Sequence, residues 1–221
     1  MTIIVAIDGP SGAGKTTIAK MVARDLGYDY LDTGALYRAI AVSLRDKGIE
    51  ADESDSNLGE ALRGTDVRFA DGRVYVNGRD VSEEIRSKEI DHYSSVFSAR
   101  KIVRAFLLDV QRNAALRRDV VVEGRDTTTV VFPNAGRKIY LDASLEERAR
   151  RRFEQYKEKG IDITQDEAMT GMIERDKRDS ERDTAPLRVA EDALFIDSSN
   201  LPVERVVGKI LDYVKSGHRV P

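Results

Sequence analysis

The residues best suited to chemistry stand near the start of the chain. Gly9, Gly14, Lys15 and Thr16 match G-x-x-x-x-G-K-[ST] within Gly9-Pro10-Ser11-Gly12-Ala13-Gly14-Lys15-Thr16. Glycines let the backbone bend so that successive N–H groups point inward at a phosphate. A helix starting there adds a partial positive charge. Lys15 would reach the β- and γ-phosphates, and the Thr16 hydroxyl would face Mg2+. Thr17 offers a second hydroxyl, and the sequence leaves open which of the two threonines meets the metal. The pattern has this meaning only between a strand and a helix. The run Thr2-Ile3-Ile4-Val5-Ala6-Ile7 supplies the strand. Ile18, Ala19, Val22, Ala23 and Leu26 recur at helical spacing, and Gly27 is a natural C-cap. The motif marks a nucleoside triphosphate site without naming the phosphate acceptor.

Arginine placement narrows the acceptor. Arg38 lies one helical turn past the strand end Asp32-Thr33-Gly34, and Arg125 lies directly at another strand end. Arg148, Arg150, Arg151 and Arg152 crowd one basic segment, while Arg175, Arg178 and Arg182 recur at i, i+3 and i+7 and share a helical face. A phosphoryl group in transfer spreads negative charge over several oxygens, which guanidinium forks bind bidentately. Arg150 alone reads as a solvated, salt-bridged surface residue. Glu123 closes an apolar strand beside the phosphate loop. It is either a Mg2+ contact through water or a strand end facing solvent. His92 and His218 have no metal-ligand spacing and are read as incidental, and Tyr156 as packing rather than a base platform.

The elements that position these residues follow from periodicity. Strands near residues 2–8, 28–32, 119–123, 137–143 and 193–197 predict a five-stranded parallel sheet, with ligands gathering beyond its carboxyl ends. Helices are predicted over Thr16–Leu26, Ala35–Lys47 and Ser98–Arg118, the last burying Ile102, Val103, Phe106, Leu107, Val110 and Leu116. Asp52–Ser56 reads as a helix cap or loop, and Ser82–Arg86 as the start of a short helix. Asp71-Gly72 and Asn77-Gly78 punctuate short alternating runs from Asp66 to Val76, an antiparallel insertion. Capping boxes at Ser144/Glu147 and Thr164/Glu167 open helices over Glu146–Lys159 and as far as about Arg182. Pro202 suits position N1 of a final helix.

Composition excludes several classes. The 221 residues carry 36 Lys+Arg against 39 Asp+Glu, a net charge of −3, so no global basic excess points to nucleic acid. Without cysteine there is no disulfide framework, thiolate zinc site or cysteine nucleophile. No apolar run approaches the roughly 18 residues of a membrane span. The N-terminus enters a strand with no charged leader, so a cytoplasmic location is expected.

Taken together, certain blocks resemble a known family. They are the Gly9–Lys15 loop, Asp32-Thr33-Gly34-Ala35-Leu36-Tyr37-Arg38, Gly124-Arg125-Asp126 with Thr129-Val130-Val131-Phe132-Pro133, Lys138–Ser144, and Glu174-Arg175-Asp176 through Asp179, Arg182 and Ala185-Pro186-Leu187. The chain is similar to bacterial cytidylate kinases, of the nucleoside monophosphate kinase superfamily, from its N-terminus to its last helix. The resemblance implies a three-layer α/β core of P-loop NTPase type with a five-stranded parallel sheet, a small antiparallel β insertion and a helical lid. It implies a core of residues 1–32, 105–145 and 183–221, a monophosphate-binding insertion over about 33–104 and a lid over about 146–182. The implied reaction moves the γ-phosphoryl group of ATP to CMP or dCMP, with Mg2+, in a monomer binding neither nucleic acid nor membrane.

Carried over residue by residue, the resemblance gives the Gly9–Thr17 segment, Arg151 and Arg152 to ATP. Thr33, Tyr37, Arg38 and Arg125 go to the acceptor side, with Arg38 and Arg125 on its phosphate. Ser95, Arg104 and Asp126 would read cytosine. Arg175, Asp179 and Arg182 would serve the ribose, the acceptor phosphate and the transferring group. Arg148, Arg151 and Arg152 would lie in the lid, and Thr16 and Glu123 beside Mg2+. An acceptor such as Asp126 or Ser95 suits the exocyclic amino group of cytosine, which uracil replaces by an oxygen. The family usually has glycine where Thr128 stands. If that position needs positive φ, Thr128 costs strain or shifts its loop. Rival readings are a kinase of UMP, AMP or shikimate on the same scaffold, or a nucleotide-binding switch without phosphotransfer. The hairpin insertion and Gly124-Arg125-Asp126 weigh against the first, and the two arginine clusters with Lys15 against the second.

Overall fold

The first apolar run forms β1 (Ile4–Asp8) in the computed structural model, which describes residues 2–50, 52–116 and 118–217. His218 lies outside the described residues. The chain continues through α1 (Lys15–Leu26), β2 (Asp29–Asp32), α2 (Thr33–Asp46) and α3 (Asp55–Leu62). Gly14, at φ 91°, and Gly27, at φ 69°, bracket α1 in left-handed conformations closed to most residues. The helix therefore begins on Lys15 itself. Asp32 moves the start of α2 ahead of the predicted Ala35, because its carboxylate accepts from the Ala35 N–H as N-cap. Ser54 caps α3 likewise, settling Asp52–Ser56 as a cap.

The insertion is a three-stranded antiparallel sheet of β3 (Val67–Ala70), β4 (Arg73–Val76) and β5 (Arg79–Asp80). Asp71-Gly72 and Asn77-Gly78 make its turns with positive φ at all four residues, which matches strand twist in tight hairpins. Two-residue β5 is too short to leave an alternation in the sequence. Glu84–Arg86 forms a single 3-10 turn, and α4 (Lys88–Phe97) and α5 (Lys101–Ala114) follow. The helix predicted over Ser98–Arg118 is thus shorter than expected and has a separate neighbour. The break falls where the Ser98 hydroxyl bonds back to the Ser95 carbonyl and Arg100 turns extended as N-cap. Leu116, expected in the core, is 67% exposed beyond the helix end.

The second half supplies β6 (Val120–Gly124), one π-helical turn at Thr127–Val131, β7 (Arg137–Asp142), α6 (Leu145–Glu158), α7 (Gln165–Glu181), β8 (Leu194–Asp197) and α8 (Val203–Lys215). Thr164 and Glu167 form the full reciprocal capping box. The Ser144 box is half made. Its hydroxyl accepts from the Glu147 N–H, but the Glu147 carboxylate is drawn to Arg150 and Arg151 instead. Pro202 is the N-cap of α8, not N1.

The parallel sheet has the order β2-β6-β1-β7-β8. Its middle strands bury both faces. Val120 and Val122 point into one core with Leu36, Ile40, Leu44 and Leu107, and Val121 into the other with Val22, Ile139 and Ile210. The register pairs Asp8 with both Gly124 and Tyr140, and Asp32 with Glu123. The carboxyl ends of the strands are thereby drawn level, and the chemistry-bearing residues leave the sheet side by side.

Candidate active site

A cleft of about 620 Å³ opens beyond those strand ends, walled by the phosphate loop, α2, the small sheet, α4, α5, α6 and α7. The loop is built against β7. A Cβ on Gly9 would lie 1.9 Å from the Leu141 carbonyl oxygen, so only glycine fits. Arg148 and Arg151 brace the loop from outside, donating to the carbonyls of Ser11 (3.2 Å) and Ala13 (3.3 Å). Lys15 Nζ donates to the carbonyls of Gly9 (2.8 Å) and Pro10 (2.6 Å). Burial and the neighbouring Arg125 charge hold this ammonium well below its ordinary pKa. An anion arriving beside it would favour the charged form.

Glu123 is buried on the floor of the cleft, which removes the solvent-facing alternative. Burial and Asp32 push its carboxyl up, while Lys15 and hydrogen bonds from Tyr30 and Thr16 pull it down. Thr16 and Thr17 both line the cleft, and of the two it is Thr16 whose side chain helps lower the Glu123 carboxyl. These two groups are hard oxygen donors of the kind Mg2+ takes, in a site otherwise completed by waters and phosphates. Among the described residues no cluster of three or more His, Cys, Asp or Glu could cage a metal, so the donor set fits only an ion carried largely by its nucleotide. Thr33 donates to the Glu123 carbonyl (2.7 Å), tying α2 to β6.

One wall of the cleft is a chain of alternating charge. Arg125 Nε donates to Asp179 (2.9 Å), Asp179 lies 3.7 Å from Arg182, Arg182 lies 3.7 Å from Asp126, and Asp126 accepts from Arg104. Arg104 and Asp126 are each 7% exposed, and the Arg104 guanidinium lies 5.4 Å from the Tyr37 ring centre. Arg38 donates to Asp32 at 2.9 Å. Two buried donors, Arg175 Nε and Arg182 Nη2, make no hydrogen bond within the protein, the second standing 3.7 Å from the Asp126 carboxylate. Burial followed by the Arg104 charge lowers the Arg182 pKa. Unpaired buried guanidinium nitrogens are costly, and an oxyanion would satisfy them.

Of the residues expected in the site, Ser95 departs furthest. Its hydroxyl is buried, accepts from Arg178 Nε at 3.1 Å, and does not line the cleft, whereas Ser94 and Ser98 do. Arg152 lines the cleft, donates to Asp91 and lies 5.0 Å from the Tyr156 ring centre; Tyr156 is buried against it. Arg150 is exposed between Glu147 and Glu154, as expected. No sequence pattern marks Asp91, since one carboxylate in a helix's first turn carries no motif, yet it binds both Arg152 and Arg175.

Asp8, at the carboxyl end of β1, carries a contact that its strand-end position does not announce. It is fully buried and accepts four hydrogen bonds: Oδ1 from the Thr127 N–H (2.9 Å) and hydroxyl (2.6 Å), Oδ2 from the Thr128 N–H and hydroxyl (both 2.7 Å). The condition under which Thr128 would cost strain, a positive φ, is not met. Positive φ outside glycine occurs, among the described residues, only at Asp71, Asn77 and Ala185. The π-helical turn accommodates the branched side chain and gives its hydroxyl a partner.

The family model for cytidylate kinase matches residues 5–216. The chain is 47% identical over 218 residues to the cytidylate kinase of Thermodesulfovibrio yellowstonii, covering 97% of this chain and 98% of that one. It is 48% identical over 209 residues to the cytidylate kinase of Geobacter sp. M21, covering 93% and 89%. Among solved structures it is similar to an uncharacterized protein from Eubacterium ventriosum, at a TM-score of 0.57 and 14% identity over 97% of this chain and 99% of that one. It is also similar to the shikimate kinase of Acinetobacter baumannii, at a TM-score of 0.50 and 17% identity over 98% and 94%. At such identities the structural likeness bears on fold alone.

Proposed function

The chain belongs to the cytidylate kinase family, and we propose that this cleft carries out the corresponding reaction: the γ-phosphoryl group of ATP moves to CMP or dCMP, giving ADP and CDP or dCDP. A bond forms between an oxygen of the acceptor phosphate and the γ-phosphorus, and the bond from that phosphorus to the β,γ-bridging oxygen breaks. A phosphate monoester is largely ionised at neutral pH, so no protein base has to take a proton. Positioning and charge supply the rate.

The observation that carries this reading is the placement of two buried guanidinium nitrogens without a hydrogen bond, Arg175 Nε and Arg182 Nη2, in the wall shared with Lys15. Lys15 would leave the Gly9 and Pro10 carbonyls for the transferring group. Gly9–Thr17 would cradle the donor phosphates, with Arg151 and Arg152 above them. Arg38, Arg125 and Arg182 would hold the acceptor phosphate, and Asp179 the ribose. Asp126 and Arg104 would read the base from opposite hydrogen-bonding senses. For the remaining base contact the burial pattern favours Ser94 or Ser98 over Ser95. Mg2+, carried in with ATP and met by Thr16 and Glu123, would neutralise charge on the β- and γ-oxygens. Residues 146–182 would act as a lid and 33–104 as the acceptor-binding part. One chain supplies every wall of the cleft, which is what a monomer requires.

A coupled assay with Mg-ATP and a panel of CMP, dCMP, UMP, AMP and shikimate tests this. Turnover should be fastest with CMP or dCMP. Turnover with another acceptor and none with CMP overturns the specificity. Tight ATP binding with no turnover on any acceptor leaves a switch.

A further inference from the structure

We infer that the Asp8 carboxylate, held by Thr127 and Thr128, is the positioning residue that sets the acceptor arm against the phosphate loop. The inference rests on the reading above, in which Arg125 and Asp126 bind the acceptor nucleotide. Asp8 ends β1 and is followed directly by Gly9 and Pro10, whose carbonyls hold Lys15. Its register partner is Gly124, directly followed by Arg125 and Asp126. Thr127 and Thr128 come next. One carboxylate therefore links the loop serving the donor to the loop serving the acceptor, at the point where two adjacent strands release them.

Both oxygens are engaged, each by the N–H and hydroxyl of a single residue. Two donor pairs on two oxygens fix the carboxylate plane and the path of residues 125–128 together. Single attachment would leave a rotation. The packing at this junction is close. A Cβ on Gly124 would lie 2.5 Å from Thr127 Cγ2 and 2.6 Å from Thr33 Oγ1. Asp8 has no exposed surface and no cation within its hydrogen-bonding shell, so the hydroxyls cannot be replaced by water without opening the junction. The backbone N–H groups alone would leave each oxygen of a dry carboxylate with half its donors.

The functional weight falls on hydroxyls at two positions that do not line the cleft. Thr128→Val keeps the branched shape and removes one hydroxyl. It should raise KM for CMP about tenfold, leave KM for ATP within about twofold, and lower the CMP to UMP selectivity. Thr128→Ser restores the hydroxyl and should return both values towards those of the native enzyme. Thr127→Val reports the same effect through the other oxygen, and serves where Thr128→Val fails to fold. A purely structural role would lower the melting temperature and leave the ratio of CMP to ATP KM unmoved; that outcome overturns the inference, as does a Ser variant no better than Val. Arg125→Ala separates the two readings. An unmoved CMP KM there removes Arg125 from the acceptor site and the inference with it. A raised CMP KM beside a native-like Thr128→Val removes the positioning role alone.

Discussion

Both oxygens of Asp91 face one nitrogen of Arg175, Nη1, at 2.8 and 2.9 Å. One of them also accepts from Arg152 Nη2 at 2.5 Å. The carboxylate belongs to α4 and the guanidiniums to α6 and α7, so this contact draws α6 and α7 onto α4. Burial would raise the Asp91 pKa, but the charges of Arg175, Arg152 and Arg38 outweigh it and hold the carboxyl well below its usual range.

The sign of the pH effect follows. A carboxyl with a depressed folded-state pKa contributes stability that is present above its unfolded value of 3.8 and is lost as pH falls through the folded value. Replacing Asp91 by Asn should cost about 2 kcal/mol at neutral pH, the scale of hydrogen bonds to a charged group. Urea unfolding should find that difference constant from pH 8 to pH 5 and shrinking below pH 4. A difference that vanishes already at pH 6 would place the stabilisation elsewhere.

Lys15→Ala should lower kcat by a factor on the order of 10²–10³, as loss of a preorganised charge at the reacting group does. Its Nζ touches only backbone carbonyls of its own loop, so the fold and CMP affinity should survive. Single-turnover rates beside CMP titration separate the two effects. A native kcat refutes the role at the γ-phosphate.

Asp126→Asn should lose much of the discrimination between CMP and UMP. It also leaves Arg104 and Arg182 without their shared buried carboxylate, at a cost of about 3 kcal/mol. Relative kcat/KM for the two nucleotides, measured below the new melting temperature, decides the first claim. An unchanged ratio takes Asp126 out of the base-reading set.

What the sequence revealed and what it withheld divide along physical lines. The Lys15 loop, the five strands and both hairpin turns are legible because each rests on a local signal: glycines at fixed spacing, a short apolar run, or an Asp-Gly or Asn-Gly pair between two such runs. Arg125 could be placed because strand ends gather ligands, whereas Glu123 kept a solvent-facing alternative that only its burial removes. The contacts of Asp91 and Asp8 could not be read, since their partners lie 61 to 120 residues away and no spacing rule links them. Whether Thr128 costs strain turns on a φ that the sequence does not show, and its hydrogen-bond partner stands on another strand.

Two glycine substitutions should separate backbone freedom from backbone proximity. Gly9→Ala places a Cβ 1.9 Å from the Leu141 carbonyl oxygen. Leu141 cannot yield, because β7 is paired to β1 on one side and β8 on the other. The phosphate loop must then distort, and ATP binding followed by calorimetry should be lost or the protein should fail to fold. Gly171 stands exposed within α7, without positive φ, and a Cβ there meets nothing within 4 Å. Gly171→Ala removes only the conformational freedom of the unfolded chain, so it should stabilise by about 0.5–1 kcal/mol. For a chain of this size that raises Tm by roughly 1–4 °C while KM for both nucleotides stays unchanged. A lower Tm would mean that α7 bends at Gly171 in the native state, and a changed KM would make that bend part of lid closure.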